Sequence, residues 1–196
     1  SIGRRLRQFM STRGVERIAQ LIPAVLHDEA YFSELAQYFS ISVTEMFRDP
    51  SVYRTLRETV APLLASYPFV KVWHAGCATG EEVYSLAILL REAGLLDRAT
   101  IFGTDFNDQA LTNAKRGIYP VDRVQLFTRN YQEAGGRRTF ADYYHARYDS
   151  AVIERSLRDR VTFANHNLAV DQAFGEMHLV FCRNVLIYFD QQTKSE

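Results

Sequence analysis

Cysteine is scarce in this sequence, with two in 196 residues. Two thiols cannot build a disulfide framework or a structural zinc site, so a reducing compartment is expected. No apolar run approaches the ~20 residues needed to span a bilayer. The opening Ser1-Ile-Gly-Arg-Arg5 also lacks the apolar core of a secretory signal, so no direct membrane insertion is expected. An excess of one charge is missing too: 23 Lys+Arg balance 23 Asp+Glu. That balance speaks against a dedicated nucleic-acid binder, and no nucleic-acid partner is expected. The sequence starts without an initiator Met and stops soon after Phe189, where a new helix begins. Elements are therefore expected to be missing at both ends, the C-terminal ones included.

What is present is the mixture of a globular protein: 47% hydrophobic and 23% charged residues, which excludes bulk disorder. Residues 1–27 are basic and mostly helical, carrying Arg4, Arg5, Arg7, Arg13 and Arg17 against Glu16. Pro23 kinks or restarts this segment. Its arginines read as a solvated helix face or as a patch for an acidic protein partner. Residues 29–39 read as an amphipathic helix with Phe32, Leu35 and Phe39 at helical spacing. Asp49-Pro50 reads as the start of another helix, with Asp49 as the cap and Pro50 at the first position.

From residue 69 the pattern alternates. Strands are expected at 69–75, 100–104, 161–164 and 179–181, and helices at 80–93 and 107–116. Asn107 is the expected cap of the latter and Gly117 its stop. Such alternation implies an α/β fold with a parallel sheet, whose ligands bind beyond the carboxyl ends of the strands. Residues 118–159 break the rhythm and read as an inserted subdomain. The expected division is 1–66 for a helical N-terminal domain with its linker and 67–196 for the sheet domain.

Chemistry concentrates in the turns. In Val72-Trp-His-Ala-Gly-Cys-Ala-Thr-Gly-Glu-Glu-Val-Tyr-Ser85 a strand passes through small residues into a helix start. The backbone can approach a ligand there, and the helix terminus attracts negative charge. The dinucleotide pattern G-x-G-x-x-G is absent, because Ala78 stands where its second Gly belongs. Glu82 reads as a ligand-binding carboxylate or as the partner of Thr79 in a capping box. Asp105, at the tip of the second strand, suits two ribose hydroxyls or caps the next helix. Asn165-His-Asn167-Leu168 and Phe181-Cys-Arg-Asn-Val-Leu-Ile-Tyr-Phe189 each put polar groups right after a strand, where burial without partners is costly. Cys77, Cys182 and scattered histidines lack metal-ligand spacing, so no metal is expected.

These motifs, together with Val43-Thr-Glu-Met-Phe-Arg-Asp-Pro50 and Ala114-Lys-Arg-Gly-Ile-Tyr119, occur in an order that resembles the CheR family of chemotaxis receptor methyltransferases. The resemblance spans about residues 30–190. It implies a small helical N-terminal domain followed by a Rossmann-like methyltransferase domain with an inserted antiparallel β subdomain. It also implies S-adenosylmethionine as cofactor, with S-adenosylhomocysteine as product, and O-methylation of glutamates on chemoreceptors. By position, Thr44 and Arg48 lie over the cofactor near the methyl donor. Gly76 and Glu82 hold its methionine part, Asp105 its ribose, and Asn167 and Leu168 flank the adenine. Cys182, Arg183 and Asn184 line the site, and Tyr188 faces the substrate; Arg48 and Tyr188 are the catalytic candidates. The implied partners are the cytoplasmic helical region of chemoreceptors and a receptor tail peptide on the β subdomain, which places the enzyme in the cytoplasm. Two departures stand out. Met46 replaces a Phe of similar volume, and His74 stands where the family often has Ser and reads as structural.

The residues suit the reaction. A glutamate carboxylate, with a pKa of ~4.3, is ionised at neutral pH and needs no general base. Two other readings remain: methylation of a different substrate on the same fold, and a non-catalytic module that binds the cofactor for signalling. The joint presence of Arg48, Glu82, Asp105 and Tyr188 argues against the second.

Overall fold

The computed structural model describes residues 2–39, 44–172 and 174–188, without the side chains at 2, 29, 33, 36, 37, 39 and 188. The chain forms two compact units, Ser1–Ser42 and Val43–Glu196. The first holds α1 (Ile2–Thr12), a 3-10 turn, α2 (Leu21–His27) and α3 (Glu29–Phe39). Gly14, in the left-handed region, follows α1, and Pro23 falls in the first turn of α2, where its missing N–H costs little. Phe9 is the centre of a small core with Met10 and Leu21. Its ring meets Tyr31 and Tyr38 edge-on, 5.8 and 5.2 Å away. Arg4, Arg7, Arg13 and Arg17 are exposed, and Arg13 pairs with Glu34.

The second unit opens with an interrupted helix: α4 (Pro50–Thr55), a π-turn at Leu56–Val60 and α5 (Ala61–Leu64). Pro62 explains the interruption. It has no N–H for the carbonyl four residues back, and Ala61 N–H reaches back to Leu56 O instead.

Then come β1 (Val70–Ala75), α6 (Glu81–Glu92), β2 (Ala99–Asp105) and α7 (Asp108–Arg116). As expected, Asn107 caps α7, its side chain accepting from Ala110 N at 3.0 Å, and Gly117 ends it at φ 60°. The insertion follows, with β3 (Ile118–Pro120), α8 (Val124–Glu133), β4 (Tyr144–Arg147), β5 (Ser150–Ile153) and α9 (Arg155–Arg158). Its strands form a separate antiparallel sheet in the order β3-β5-β4. The chain returns as β6 (Val161–Asn165) and β7 (Leu179–Phe181).

The main sheet is parallel throughout, in the order β6-β2-β1-β7. The chain moves outward from β1 to β2 and β6, then returns to the other side of β1. That reversal opens a crevice at the carboxyl ends of β1 and β7, where such sheets bind ligands. Val72, Ile101, Phe163 and Phe181 join the buried side chains of α6 in the core. Gly103 has no side chain there because Phe163 and Val83 fill the space.

The insertion is fastened to the sheet unit through Glu92, at the end of α6. Glu92 pairs with Arg57 of the π-turn in a nearly dry setting, with side chains 2% and 8% exposed. The same carboxylate accepts from Tyr131 and from Tyr143 (2.9 Å) and from Arg137 N (3.1 Å). No helix among the described residues is long and apolar enough to cross a membrane.

Candidate active site

The turn after β1 is shaped by Gly76 at φ 70° and Gly80 at φ 88°. A Cβ at Gly76 would collide with Val185, from the segment after β7. Cys77 N donates to Thr104 O at 2.8 Å, and Ala78 N donates to Asp105 Oδ2 at 2.8 Å. Asp105 Oδ1 accepts from Asn107 N at 2.9 Å. Asp105 is therefore held by backbone donors on both oxygens, while Asn107 does the capping. A carboxylate has about four acceptor sites, so acceptor capacity remains beside these bonds. Burial raises its carboxyl above the usual value, and the amides at Asn107, Ala78 and Phe106 oppose that.

Glu82 lies in the first turn of α6. The capping-box alternative does not hold: Gly80 is the N-cap residue and makes no side-chain cap, while Thr79 Oγ1 donates to Glu81 Oε2 at 2.6 Å. Glu82 instead pairs with Arg183, just after β7. Arg183 pairs as well with Asp49 and donates to the carbonyl of Arg48 at 3.0 Å. The expectation that Asp49 caps α4 is therefore corrected. Asp49 occupies the N-cap position at φ 56° but makes no side-chain cap there; its carboxylate is held by Arg183. Burial raises the Glu82 carboxyl, opposed by Arg183 and Arg48 and reinforced by Asp49. Arg48 thus stands close enough for its charge to be felt. Among the described residues, no hydrogen bond or ion pair occupies its guanidinium.

The remaining candidates are more dispersed. Thr44 is buried, and its carbonyl accepts from Arg123 of the insertion at 3.3 Å. Asn167 and Leu168 follow β6, joined to the site by the bond from His166 N to Asp105 O at 3.1 Å. The Asn167 side chain accepts from Ala169 N at 3.0 Å. Cys182 is half-buried, and Asn184 is exposed at φ 57°. Tyr188 closes a 3-10 turn, Leu186–Tyr188, but its side chain lies outside what is described, as does all of Val43. Met46, standing in for an aromatic residue, is 1% exposed. His74 is buried against Phe181, ring centres 4.8 Å apart, and burial together with Arg183 lowers its pKa to about 3. It is a neutral core residue.

Left-handed backbone clusters here. Among the described residues five non-glycine residues have positive φ: Phe47 and Asp49 flank Arg48, Ala78 lies in the turn after β1 and Asn184 follows Arg183, Tyr148 being the exception. Each such residue costs on the order of 1–3 kcal/mol and persists where the surroundings over-determine it. Asp49 is a residue of this crevice that the sequence did not reveal, and Ser85 and Asn130 hold the Met46–Phe47 peptide just before Arg48. Asp49 reads as a cap, and Asn130 lies 84 residues from the group it contacts.

A parallel sheet with a side-chain-poor turn after β1, an acid at the tip of β2 and a paired carboxylate at the start of α6 defines a Rossmann-like methyltransferase domain. Residues 42–196 match the SAM-binding domain of CheR methyltransferase. The chain belongs to the CheR methyltransferase family, and its cofactor is S-adenosylmethionine. It is 51% identical over 191 residues to a Pseudomonas putida protein that carries the provisional name methyltransferase Cher3, covering 97% of this chain and 70% of that one. It is 30% identical over 175 residues to the chemotaxis protein methyltransferase of Borreliella burgdorferi, covering 83% and 59%. It is 32% identical over 158 residues to chemotaxis protein methyltransferase 2 of Pseudomonas aeruginosa, covering 79% and 55%. The donor set fits the cofactor. Asp105 retains acceptor capacity for hydroxyls, Glu82 offers a carboxylate to an ammonium, and the turn presents backbone.

Proposed function

We propose that this chain transfers a methyl group from S-adenosylmethionine to glutamate side chains of chemoreceptors, forming methyl esters and S-adenosylhomocysteine. The observation that carries the reading is Arg48: among the described residues no hydrogen bond or ion pair takes its guanidinium, which lies within electrostatic reach of Glu82, and its carbonyl is anchored to the arginine that holds Glu82. Gly76 and Glu82 hold the methionine part of the cofactor, Glu82 through its ammonium. Asp105 takes the ribose hydroxyls, Asn167 and Leu168 flank the adenine, and Thr44, Cys182 and Asn184 complete the lining.

When bound, the cofactor supplies an electrophilic methyl group on a positively charged sulfur. The substrate carboxylate is already ionised at neutral pH, so no residue needs to remove a proton. Arg48 orients that carboxylate by charge-assisted hydrogen bonds, and Tyr188 shapes the approach. The main contribution is placement of the two reacting groups in a near-attack arrangement. A clamp that bound the ground state equally tightly would not raise kcat.

The partners are the helical cytoplasmic region of chemoreceptors and a receptor tail on the antiparallel sheet of the insertion, and the enzyme works in the cytoplasm. Radiolabelled methyl transfer to receptor-containing membranes tests the reading. Base-labile label on receptor glutamates is expected. Base-stable label, or cofactor binding without any transfer, would replace the reading with another substrate or with a non-catalytic role.

A further inference from the structure

One peptide unit in the segment before α4 is held from both sides. The carbonyl of Met46 accepts from Asn130 Nδ2 at 3.1 Å, and the N–H of Phe47 donates to Ser85 Oγ at 2.9 Å. These two groups belong to the same peptide bond. Asn130 sits on α8 of the insertion and is 5% exposed; Ser85 sits on α6 and is fully buried. The Ser85 O–H is committed as well, since it donates to Glu81 O at 2.7 Å while its oxygen accepts from Phe47.

The next residue needs this restraint. Phe47 has φ 54°, a genuine outlier for a bulky side chain. Its ring is wholly buried and meets Tyr53 at 5.0 Å and Tyr131 at 5.2 Å. Packing fixes the ring, and the two hydrogen bonds fix the plane of the peptide that precedes it. Together they set the direction in which the chain leaves Phe47, and the next residue is Arg48. Beyond it, Asp49 is left-handed as well, and Pro50 starts α4.

We propose that Ser85 and Asn130 are positioning residues for methyl transfer: they clamp the Met46–Phe47 peptide and thereby aim Arg48 into the site. The proposal rests on the reading of Arg48 as the residue that orients the substrate carboxylate. Neither side chain is assigned to the cofactor or the substrate. The clamp also joins the insertion to the cofactor-binding helix across a single peptide, so the part of the fold that carries the antiparallel sheet helps set the arginine.

Two variants test it separately, Ser85→Ala and Asn130→Leu, each checked for folding by circular dichroism. In each, kcat should fall about tenfold, while affinity for S-adenosylhomocysteine and KM for the cofactor stay within about twofold. In an Arg48→Ala background the same substitutions should cost less than about twofold, because residues that act through one group are not additive. A second readout needs no turnover. In the cofactor-free protein, exchange of the Phe47 amide hydrogen should accelerate at least about tenfold in Ser85→Ala, with the rest of α6 unchanged. A kcat loss that persists without Arg48, a parallel loss of cofactor affinity, or unchanged exchange at Phe47 overturns the proposal. If the native protein labels no glutamate, the functional reading falls, and the exchange measurement still decides whether the clamp exists.

Discussion

Arg183 is ion-paired to Glu82, a residue 101 positions earlier in the chain, and through the same guanidinium to Asp49. The pair joins the last described strand to the start of α6, while Asp49 brings in the segment that carries Arg48. A planar fork can serve several acceptors at once in a way an ammonium cannot. Replacing Arg183 by Met should raise the Kd for S-adenosylhomocysteine at least about tenfold at pH 7, since it leaves a buried carboxylate without its partner. The Glu82 carboxyl, already raised by burial, would rise further. Affinity in the variant should therefore weaken more steeply than in the native protein as pH falls from about 8 to 6. Titration calorimetry across that range measures both effects, and a parallel pH profile would sink the argument.

Arg48→Ala should separate binding from transfer. Its charge helps keep Glu82 ionised, so a loss of up to about threefold in cofactor affinity is expected. Methyl transfer should fall by about 100-fold or more if positioning of the carboxylate is the main contribution. Transfer at the native rate would remove Arg48 from the mechanism.

Asp105→Asn changes one acceptor oxygen into a donor beside two backbone N–H groups, from Ala78 and Asn107. The turn and the proposed ribose site should suffer together. A loss of about 10–100-fold in S-adenosylhomocysteine affinity is expected, with a lowered Tm, because a buried donor would then face a donor. Unchanged affinity would place the ribose elsewhere.

Glu92→Ala leaves Arg57 buried without its acid and takes an acceptor from Tyr131, Tyr143 and the Arg137 amide. Breaking a buried pair in this way costs about 3–5 kcal/mol. Urea denaturation should show that loss. A change below about 1 kcal/mol would mean that the pair contributes no more than a surface contact.

Glu81 gives the stability a pH dependence. It is 4% exposed, and burial raises its pKa to about 7, opposed by Thr79 and Arg123. A carboxyl whose folded value lies above its unfolded value binds protons more tightly in the folded state. Its contribution is fully present below about pH 4.5 and is lost as pH rises through about 7. Glu81→Gln should therefore flatten the fall in stability between about pH 5 and 7, by roughly 1–3 kcal/mol. Denaturant midpoints at several pH values measure it, and a slope equal to that of the native protein would count against this role.

Much of the fold was legible because it depends on near neighbours in the chain. The alternation of apolar strands and amphipathic helices marked the parallel sheet. Asn107 caps α7 three residues on, and Gly117 ends that helix, as local rules require. The π-turn before Pro62 follows from the same local chemistry, a missing N–H inside a helical run. Asp49 and Glu82 misled for one reason. Each has the residue type and spacing of a helix cap, and each is drawn instead to Arg183. A charged partner in a half-buried crevice outweighs a capping bond of about 1 kcal/mol.

By itself, then, the sequence determined the alternating strands and helices of the parallel sheet, the place where an insertion interrupts them, and which motifs lie at the strand ends. Periodicity, capping and small-residue turns act over a few residues and can be read along the chain. The tertiary structure alone decided which carboxylate meets Arg183, and that Asn130 and Ser85 grip one peptide from opposite sides. Such contacts join groups far apart in sequence. They arise only when packing has buried polar atoms that must then find partners in the folded chain.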